Sequence, residues 1–266
     1  MAKRTFKHSR SSNVALASNL AHQKALDHAI QIFDSNALYT MIPKNACSTM
    51  RYSIALANGF IRDESEINWI HNNNKSFTHS NRSAYLADFA FVIIRCPLSR
   101  IYSAYMDKIV EGGKAAEQIC ETANFQPGKN NLSFKNFLKI IPLGRANIHW
   151  IPQSVFMLFE NYDEYFCFDK FGEITEKLKQ RINLEVKDTR KILKHDNSRL
   201  KGESIPKAWD VMSAQHFVNR SQGIRPNIEN MFDQECVDIC KRLYREDLEL
   251  YREHFGNSDL MKRFGI

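Results

Sequence analysis

The sequence predicts an α/β fold in which a short central parallel sheet is flanked by helices. Two short apolar runs, ALYTMI at 37–42 and FAFVII at 89–94, have the length and the β-branched content of buried strands. Each run is followed by a helical pattern, at 47–58 and from Pro97 to about Val110. Strands that alternate with helices are typical of a parallel sheet covered on its faces.

The remaining segments complete a single domain over residues 21–266, preceded by a flexible polar N-terminal tail at 1–20. The apolar spacing predicts helices at 21–34, 134–141, 154–160, 173–182 and 229–252, and a third strand at 165–168. Polar or glycine-containing stretches at 62–83, 112–132 and 186–206 are expected to be loops or broken helices. Neither an internal repeat nor a linker divides the chain.

The composition is that of a globular protein with a basic surface. The formal net charge of +7 and the pI near 9.0 indicate an anionic partner or simply a solvated basic surface. The six cysteines form no CxxC pair and no zinc-site spacing, so we expect reduced thiols, a cytoplasmic location and no metal. No apolar run approaches the ~20 residues that span a bilayer, and no export signal is recognisable.

The first motif that carries chemistry is PKNACSTMR at 43–51, between a predicted strand and a predicted helix. This P-loop-like arrangement directs successive N–H groups and the positive helix end at one point, which suits a phosphate. Lys44 adds a point charge, and Ser48 and Thr49 add hydroxyls. The glycines and the late lysine of a Walker A loop are absent. The alternative is an ordinary loop in which Ser48 only caps the helix.

The second motif is RCPLSRIYSAY at 95–105, directly after the FAFVII strand. Ligands of open α/β sheets gather at the carboxyl ends of strands, where Arg95 is expected. An arginine there can grip a phosphate with two hydrogen bonds, with the hydroxyl of Ser103 two helical turns further on. A surface ion pair is the alternative role for Arg95. Arg100 and Tyr105 are expected to be structural.

Together the two motifs resemble those of the PAPS-dependent carbohydrate sulfotransferases, in the Golgi-type branch that includes the HNK-1 and chondroitin 4-O enzymes. The first motif is similar to that branch's PKxxC[ST]xx[KR] loop, and the second to its RxPxxRxxSAY, with Cys96 where an acidic residue is usual. HWIPQ at 149–153 and LYREDLELYREHFG near the C-terminus resemble two further family segments. Unlike animal members, this chain has neither a membrane anchor nor paired lumenal cysteines, which suggests a bacterial relative whose acceptor is open.

The resemblance implies a role for each motif residue. Lys44 would contact the 5′-phosphate and the bridging oxygen of 3′-phosphoadenosine-5′-phosphosulfate (PAPS). Ser48 and Thr49 would cradle the 5′-phosphate together with the loop N–H groups. Arg95 and Ser103 would hold the 3′-phosphate. The N–H groups belong to Asn45, Ala46, Cys47, Ser48 and Thr49. The implied reaction is in-line transfer of the sulfuryl group to a hydroxyl of a glycan or other acceptor, without a metal.

The transfer also needs a base for the proton of the acceptor hydroxyl. The preferred candidate is His79, which precedes the Arg95 strand in the region where related glycan sulfotransferases carry a catalytic histidine. His149, in HWIPQ, is the second candidate, and both can instead be structural histidines. His195, in HDNS at 195–198, resembles a family segment that could close over the nucleotide.

Two other classes of function stay open at this point. A P-loop-type kinase would need Mg²⁺ and a GK[ST] sequence, which the chain lacks. A non-enzymatic module that binds polyanions fits the pI, but it predicts a cluster of basic residues interleaved with aromatic ones. Outside the tail no such cluster occurs, so nucleic acid is not expected as a partner.

Overall fold

The computed structural model describes residues 4–10, 13–73, 77, 79–122, 132–144, 146–190, 192 and 199–266. The chain divides into two compact units that are interleaved in sequence. The first comprises residues 1–95 and 153–193, and the second comprises residues 96–152 and 194–266. The assignment of 21–266 to one domain stays a prediction.

The first unit is built on a four-stranded sheet in the order β1-β2-β3-β4. Its strands are β1 (Ala29–Ile32), β2 (Ala37–Thr40), β3 (Phe89–Ile94) and β4 (Glu164–Cys167). β2, β3 and β4 are parallel, and β1 pairs antiparallel with β2 at the edge. β2 and β3 are buried along their whole length, as expected for parallel strands covered on both faces. The predicted α/β class and both central strands are confirmed.

Helices of the first unit cover this sheet and form its core. They are α1 (Leu20–Leu26), α2 (Cys47–Ala57), α3 (Trp69–Asn72), α4 (Asn81–Tyr85) and α8 (Phe171–Ile182). The apolar sides of α2 and α8, including Met50, Ile54, Ile174 and Leu178, belong to one buried cluster with the sheet. Burial of this apolar surface is the main stabilising contribution to the unit. This packing holds β2 and β3 in place, and each of the two predicted phosphate motifs follows the end of one of these strands.

The prediction for 21–34 was wrong in its second half. α1 ends at Leu26, and Ala29–Ile32 forms β1. The apolar spacing continues through AIQI, but pairing of these residues with β2 outweighs the local helical pattern. Part of the expected tail is also packed on this unit, because Phe6 forms a β-bridge with Phe159 and stacks on its ring. The mobility of the rest of 1–20 stays a prediction.

The second unit is mostly helical. Its helices are α5 (Pro97–Tyr105), α6 (Lys114–Thr122), α7 (Phe134–Ile140), α9 (Ser213–Ser221), α10 (Gln234–Leu243), α11 (Arg245–Phe255) and α12 (Asp259–Arg263). A π-helical segment, Met106–Val110, continues α5, and two short parallel strands, β5 (Lys201–Glu203) and β6 (Ile224–Pro226), pair with each other. The single helix predicted at 229–252 is instead α10 and α11, which meet at Tyr244.

Candidate active site

The loop after β2 has an unusual backbone. Lys44 and Ala46 both have positive φ angles, of 75° and 58°, which non-glycine residues rarely adopt. Such strain is concentrated at functional sites, where the surrounding structure maintains it. α2 begins at Cys47, so the N–H groups of its first turn have no acceptor within the helix. The loop therefore presents the donors and the helix end that favour an anion.

A buried amide network holds this loop against the end of β3. The side-chain Nδ2 of Asn45 donates to the carbonyl oxygen of Ile93 at 2.8 Å and to Oε1 of Gln153 at 2.5 Å. The same Oε1 accepts the N–H of Arg95 at 3.0 Å, and Nε2 of Gln153 donates to the carbonyl of Arg95 at 2.9 Å. Asn45 and Gln153 are both fully buried. Gln153 thus fixes the loop and the strand end relative to each other.

Lys44 and Arg95, which the sequence assigns to two different motifs, meet at this point. The guanidinium of Arg95 donates to the carbonyl oxygen of Lys44 at 3.0 Å and lies over the ring of Phe168, 4.4 Å from its centroid. Both residues are half-buried. The guanidinium of Arg95 and the backbone of Lys44 are therefore held together at adjacent ends of parallel strands, where α/β folds bind ligands.

The hydroxyl and N–H groups of the loop differ in whether they already form hydrogen bonds within the protein. The hydroxyl of Thr49 is bonded to that of Thr189 at 2.8 Å, and Thr49 is buried. Ser48 is half-buried at the start of α2, and no hydrogen bond joins its hydroxyl to another described residue. The N–H of Asn45 donates to the carbonyl of Ile42 within the turn. Ser48 and the N–H groups of residues 46–49 are therefore the better placed donors.

His79 lies just before α4 and is only 5% exposed. Its Nδ1 is 3.2 Å from the hydroxyl of Ser83, and its buried Nε2 has no hydrogen-bond partner among the described residues. Burial lowers the pKa of His79 from 6.5 to about 4, so the imidazole is neutral at pH 7.

Two contacts attach the residues on either side of His79 to the first unit. The carbonyl of Phe77 accepts the N–H of Gln31 in β1, and the side chain of Asn81 bonds to His22 in α1. His79 lies in sequence between these two contact points, on a part of the first unit that is attached to β1 and to α1.

Ser103 and His149 belong to the second unit. Ser103 is half-buried in α5, and the neighbouring Tyr102 and Tyr105 use their hydroxyls on main-chain carbonyls of the same unit. His149 is half-buried in a turn in which its N–H donates to Oδ1 of Asn147. His195 lies outside the described residues.

The family model for the sulfotransferase family matches residues 27–252. The chain belongs to the sulfotransferase family. The suspected family is therefore confirmed, and the enzyme is a transferase whose activity is sulfuryl transfer. Searches among curated proteins and among solved structures each returned no match.

Two further features of this sulfotransferase bear on the sequence-based expectations. Within the described residues, no helix is both long enough and apolar enough to cross a bilayer. In the same part of the chain, no group of three or more histidine, cysteine or carboxylate side chains is arranged to hold a metal ion. All six cysteines are free thiols.

Sequence reasoning missed two residues of the site, Gln153 and Phe168. Gln153 is the last residue of the HWIPQ segment, in which the sequence predicts a role for His149 alone. Gln153 forms two hydrogen bonds with Arg95 and one with Asn45, so its role is to hold these two residues together. Phe168 follows β4, so the rule that ligand sites gather at strand ends was the available signal for it.

Proposed function

We propose that this sulfotransferase takes its sulfuryl group from PAPS and transfers it to a hydroxyl of an acceptor, either a carbohydrate or a glycoconjugate. The observation that carries the proposal is the hydrogen bond between the guanidinium of Arg95 and the carbonyl of Lys44 at adjoining strand ends. The guanidinium of Arg95 therefore lies beside the loop that carries Lys44 and leads into the open N–H groups at the start of α2. A donor with separated phosphate groups is the ligand that such a site suits.

Each loop residue has a role in this proposal. Lys44 stabilises the negative charge that develops on the bridging oxygen as the S–O bond breaks. Ser48 and the N–H groups of residues 46–49 bind the 5′-phosphate. Arg95, kept in orientation by Gln153 and Phe168, binds the 3′-phosphate, with Ser103 as its expected second donor. Such binding positions the sulfur for in-line attack by the acceptor hydroxyl.

His79 is proposed to accept the proton of that hydroxyl. Its neutral form has a lone pair for the proton, and its low pKa keeps that form available well below pH 7. Because His79 is buried, the acceptor must reach Nε2 through a local rearrangement. His149 is the alternative base. The proposal also includes a cytoplasmic location, which rests on the six free thiols.

The first test compares ligands by the thermal stability of the intact chain. 3′-Phosphoadenosine 5′-phosphate (PAP) without metal should raise the melting temperature, since a ligand that binds only the folded state stabilises it. Lys44→Ala should melt normally but lose most of that shift. A larger shift with ATP and Mg²⁺ would favour a kinase, and a larger shift with a DNA oligomer would favour a polyanion-binding module.

The base is tested by single-turnover transfer from PAPS to an acceptor found by screening. His79→Ala should slow the transfer roughly 10²–10⁴-fold, the usual contribution of a general base, with PAP affinity unchanged. His149→Ala serves as the matched variant. If only His149→Ala is slow when the acceptor is saturating, the base is His149 and the donor assignment is unaffected.

A further inference from the structure

A cavity of about 560 Å³ lies in the second unit, beyond the end of α5. Its polar lining comprises Lys108, Lys114, Gln118, Asn147 and His149. These residues come from three segments of the unit: the π-helical segment, α6 and the turn before Trp150. A cavity of this volume is in the range that holds small organic ligands.

One wall is formed where α5 gives way to α6. The helix widens into the π-helical segment Met106–Val110, a feature that is frequent at functional sites. Gly112 and Gly113 follow with φ angles of 81° and 97°, which let the chain turn directly into α6. The carbonyl of Gly113 accepts the N–H groups of Ala116 and Glu117. The preceding N–H groups, of Lys114 and Ala115, are the ones that a first helical turn leaves without an internal acceptor.

The other wall is a turn that a buried arginine holds in place. Arg100 is 2% exposed, and its guanidinium donates to the carbonyls of Ile151 at 2.7 Å and Ile148 at 3.4 Å. Within the turn, the N–H of His149 donates to Oδ1 of Asn147 at 3.0 Å. His149 and Asn147 are thus presented to the cavity by a fixed backbone, which lowers the entropic cost of binding.

The charge of the lining is positive. Among the described residues of the lining, Lys108 and Lys114 are charged and none is an aspartate or a glutamate. Lys108 is paired with Asp107 at 3.1 Å, whereas no ion pair joins Lys114 to another described residue. The nearby Glu111 is bound by Arg220. An anionic group entering the cavity would therefore meet at least one uncompensated positive charge.

We propose that this cavity binds a sulfate or carboxylate group carried by a hydroxyl-rich ligand, such as an acidic sugar. Lys108 and Lys114 pair with the anion, and His149, Asn147 and Gln118 hydrogen-bond to hydroxyls. This inference rests on the proposed function, in which the acceptor is a carbohydrate. It assigns His149 to binding rather than to proton transfer. The same lysines could instead take up free inorganic sulfate, and the experiment separates the two sources.

Calorimetry on the intact chain tests the cavity with three probes. They are a hyaluronan tetrasaccharide, which carries carboxylates, the neutral chitin tetrasaccharide and inorganic sulfate. The cavity variant is Lys108→Gln with Lys114→Gln. Its matched control is Lys201→Gln with Lys262→Gln, which removes the same charge from lysines that are 79% and 66% exposed elsewhere in the unit.

The carboxylated saccharide should bind the wild type and the control alike, and should bind the cavity variant about tenfold or more weakly. The neutral saccharide should bind all three proteins weakly and equally. Dependence on Lys108 and Lys114 for sulfate alone would identify a site for the free anion. Equal binding of the carboxylated saccharide to cavity variant and control, or no binding of any anionic probe, would overturn the proposal. PAP affinity is measured in parallel, so that a failure of the donor assignment is seen separately.

Discussion

Arg95 and Arg100 belong to one motif, five residues apart, and yet the structure gives them opposite surroundings. Arg100 is buried in the second unit, where its guanidinium is used on the carbonyls of Ile148 and Ile151. Arg95 is half-buried at a strand end of the first unit, beside Phe168 and bonded to the Lys44 carbonyl. Two residues of the same type in one motif can therefore have different roles. Burial and the partners of each side chain separate the residue that builds the fold from the residue that can meet a ligand.

The largest effect is expected for Arg100→Ala. The substitution removes a large buried side chain and leaves two main-chain carbonyls without their donor, so the free energy of unfolding should fall by about 3–5 kcal/mol. Urea denaturation measures this loss. The exposed Arg242 provides the control, since Arg242→Ala should cost less than about 0.5 kcal/mol. Equal stabilities of the two variants would remove the distinction between the buried and the half-buried arginine.

Because His79 is buried, the stability of the fold should depend on whether its imidazole is protonated. The pKa of His79 is about 4 in the folded protein and 6.5 ordinarily, so the unfolded chain binds the proton first as the pH falls. Stability is therefore unaffected above pH 6.5 and decreases between pH 6.5 and 4, by at most about 3 kcal/mol. His28 and His216 also have lowered pKa values and contribute to the slope. The difference between wild type and His79→Gln isolates the contribution of His79, and parallel pH profiles would contradict it.

Arg95→Ala should have the converse effect to Arg100→Ala. The protein should stay nearly as stable as the wild type, but its binding free energy for PAP should weaken by about 1.5–3 kcal/mol, as for a lost charge-assisted hydrogen bond. Arg181→Ala is a matched control, because Arg181 also lies over a phenylalanine ring, that of Phe89, away from the loop. If both variants bind PAP like the wild type, Arg95 has a structural role similar to that of Arg100.

The smallest expected effect separates two neighbouring hydroxyls. Ser48→Ala should weaken PAP binding by about 1 kcal/mol with little change in stability. Thr49→Val should lower stability by a similar amount, because it breaks the bond to Thr189, and should leave PAP affinity unchanged. Calorimetry and urea denaturation of both variants give the two numbers. The reverse assignment would show that Thr49 turns towards the ligand when the nucleotide binds.

The central strands could be predicted because their signal is local. ALYT and FAFVII are short, fully apolar or β-branched runs, and parallel strands in a sheet core need that composition. β1 could not be predicted, because AIQI continues the helical spacing of α1 and becomes a strand only through its pairing with β2. The break at Tyr244 is similar. The hydroxyl of Tyr244 donates a hydrogen bond to the carbonyl of Trp150, which is distant in the sequence. The apolar spacing of 229–252 continues across Tyr244, so the sequence does not show that a helix ends there.

The proximity of Lys44 and Arg95 was predictable for a geometric reason, since both follow neighbouring parallel strands. The means of holding them was not. Gln153 acts through hydrogen bonds to residues 58 and 108 positions away, and no local pattern encodes such contacts. Nor could the sequence distinguish Ser48 from Thr49, because the difference lies in Thr189, on a segment that only the fold brings near.

The central claim is that Arg95 belongs to a site for the 3′-phosphate of the sulfuryl donor. Calorimetry of the intact protein with PAP and with AMP, without added metal, tests it most directly, because the two ligands differ by that phosphate alone. PAP should bind at least about tenfold more tightly, which is the expected contribution of one charge-assisted contact. Equal affinities for PAP and AMP would contradict the claim, as would PAP binding that requires Mg²⁺.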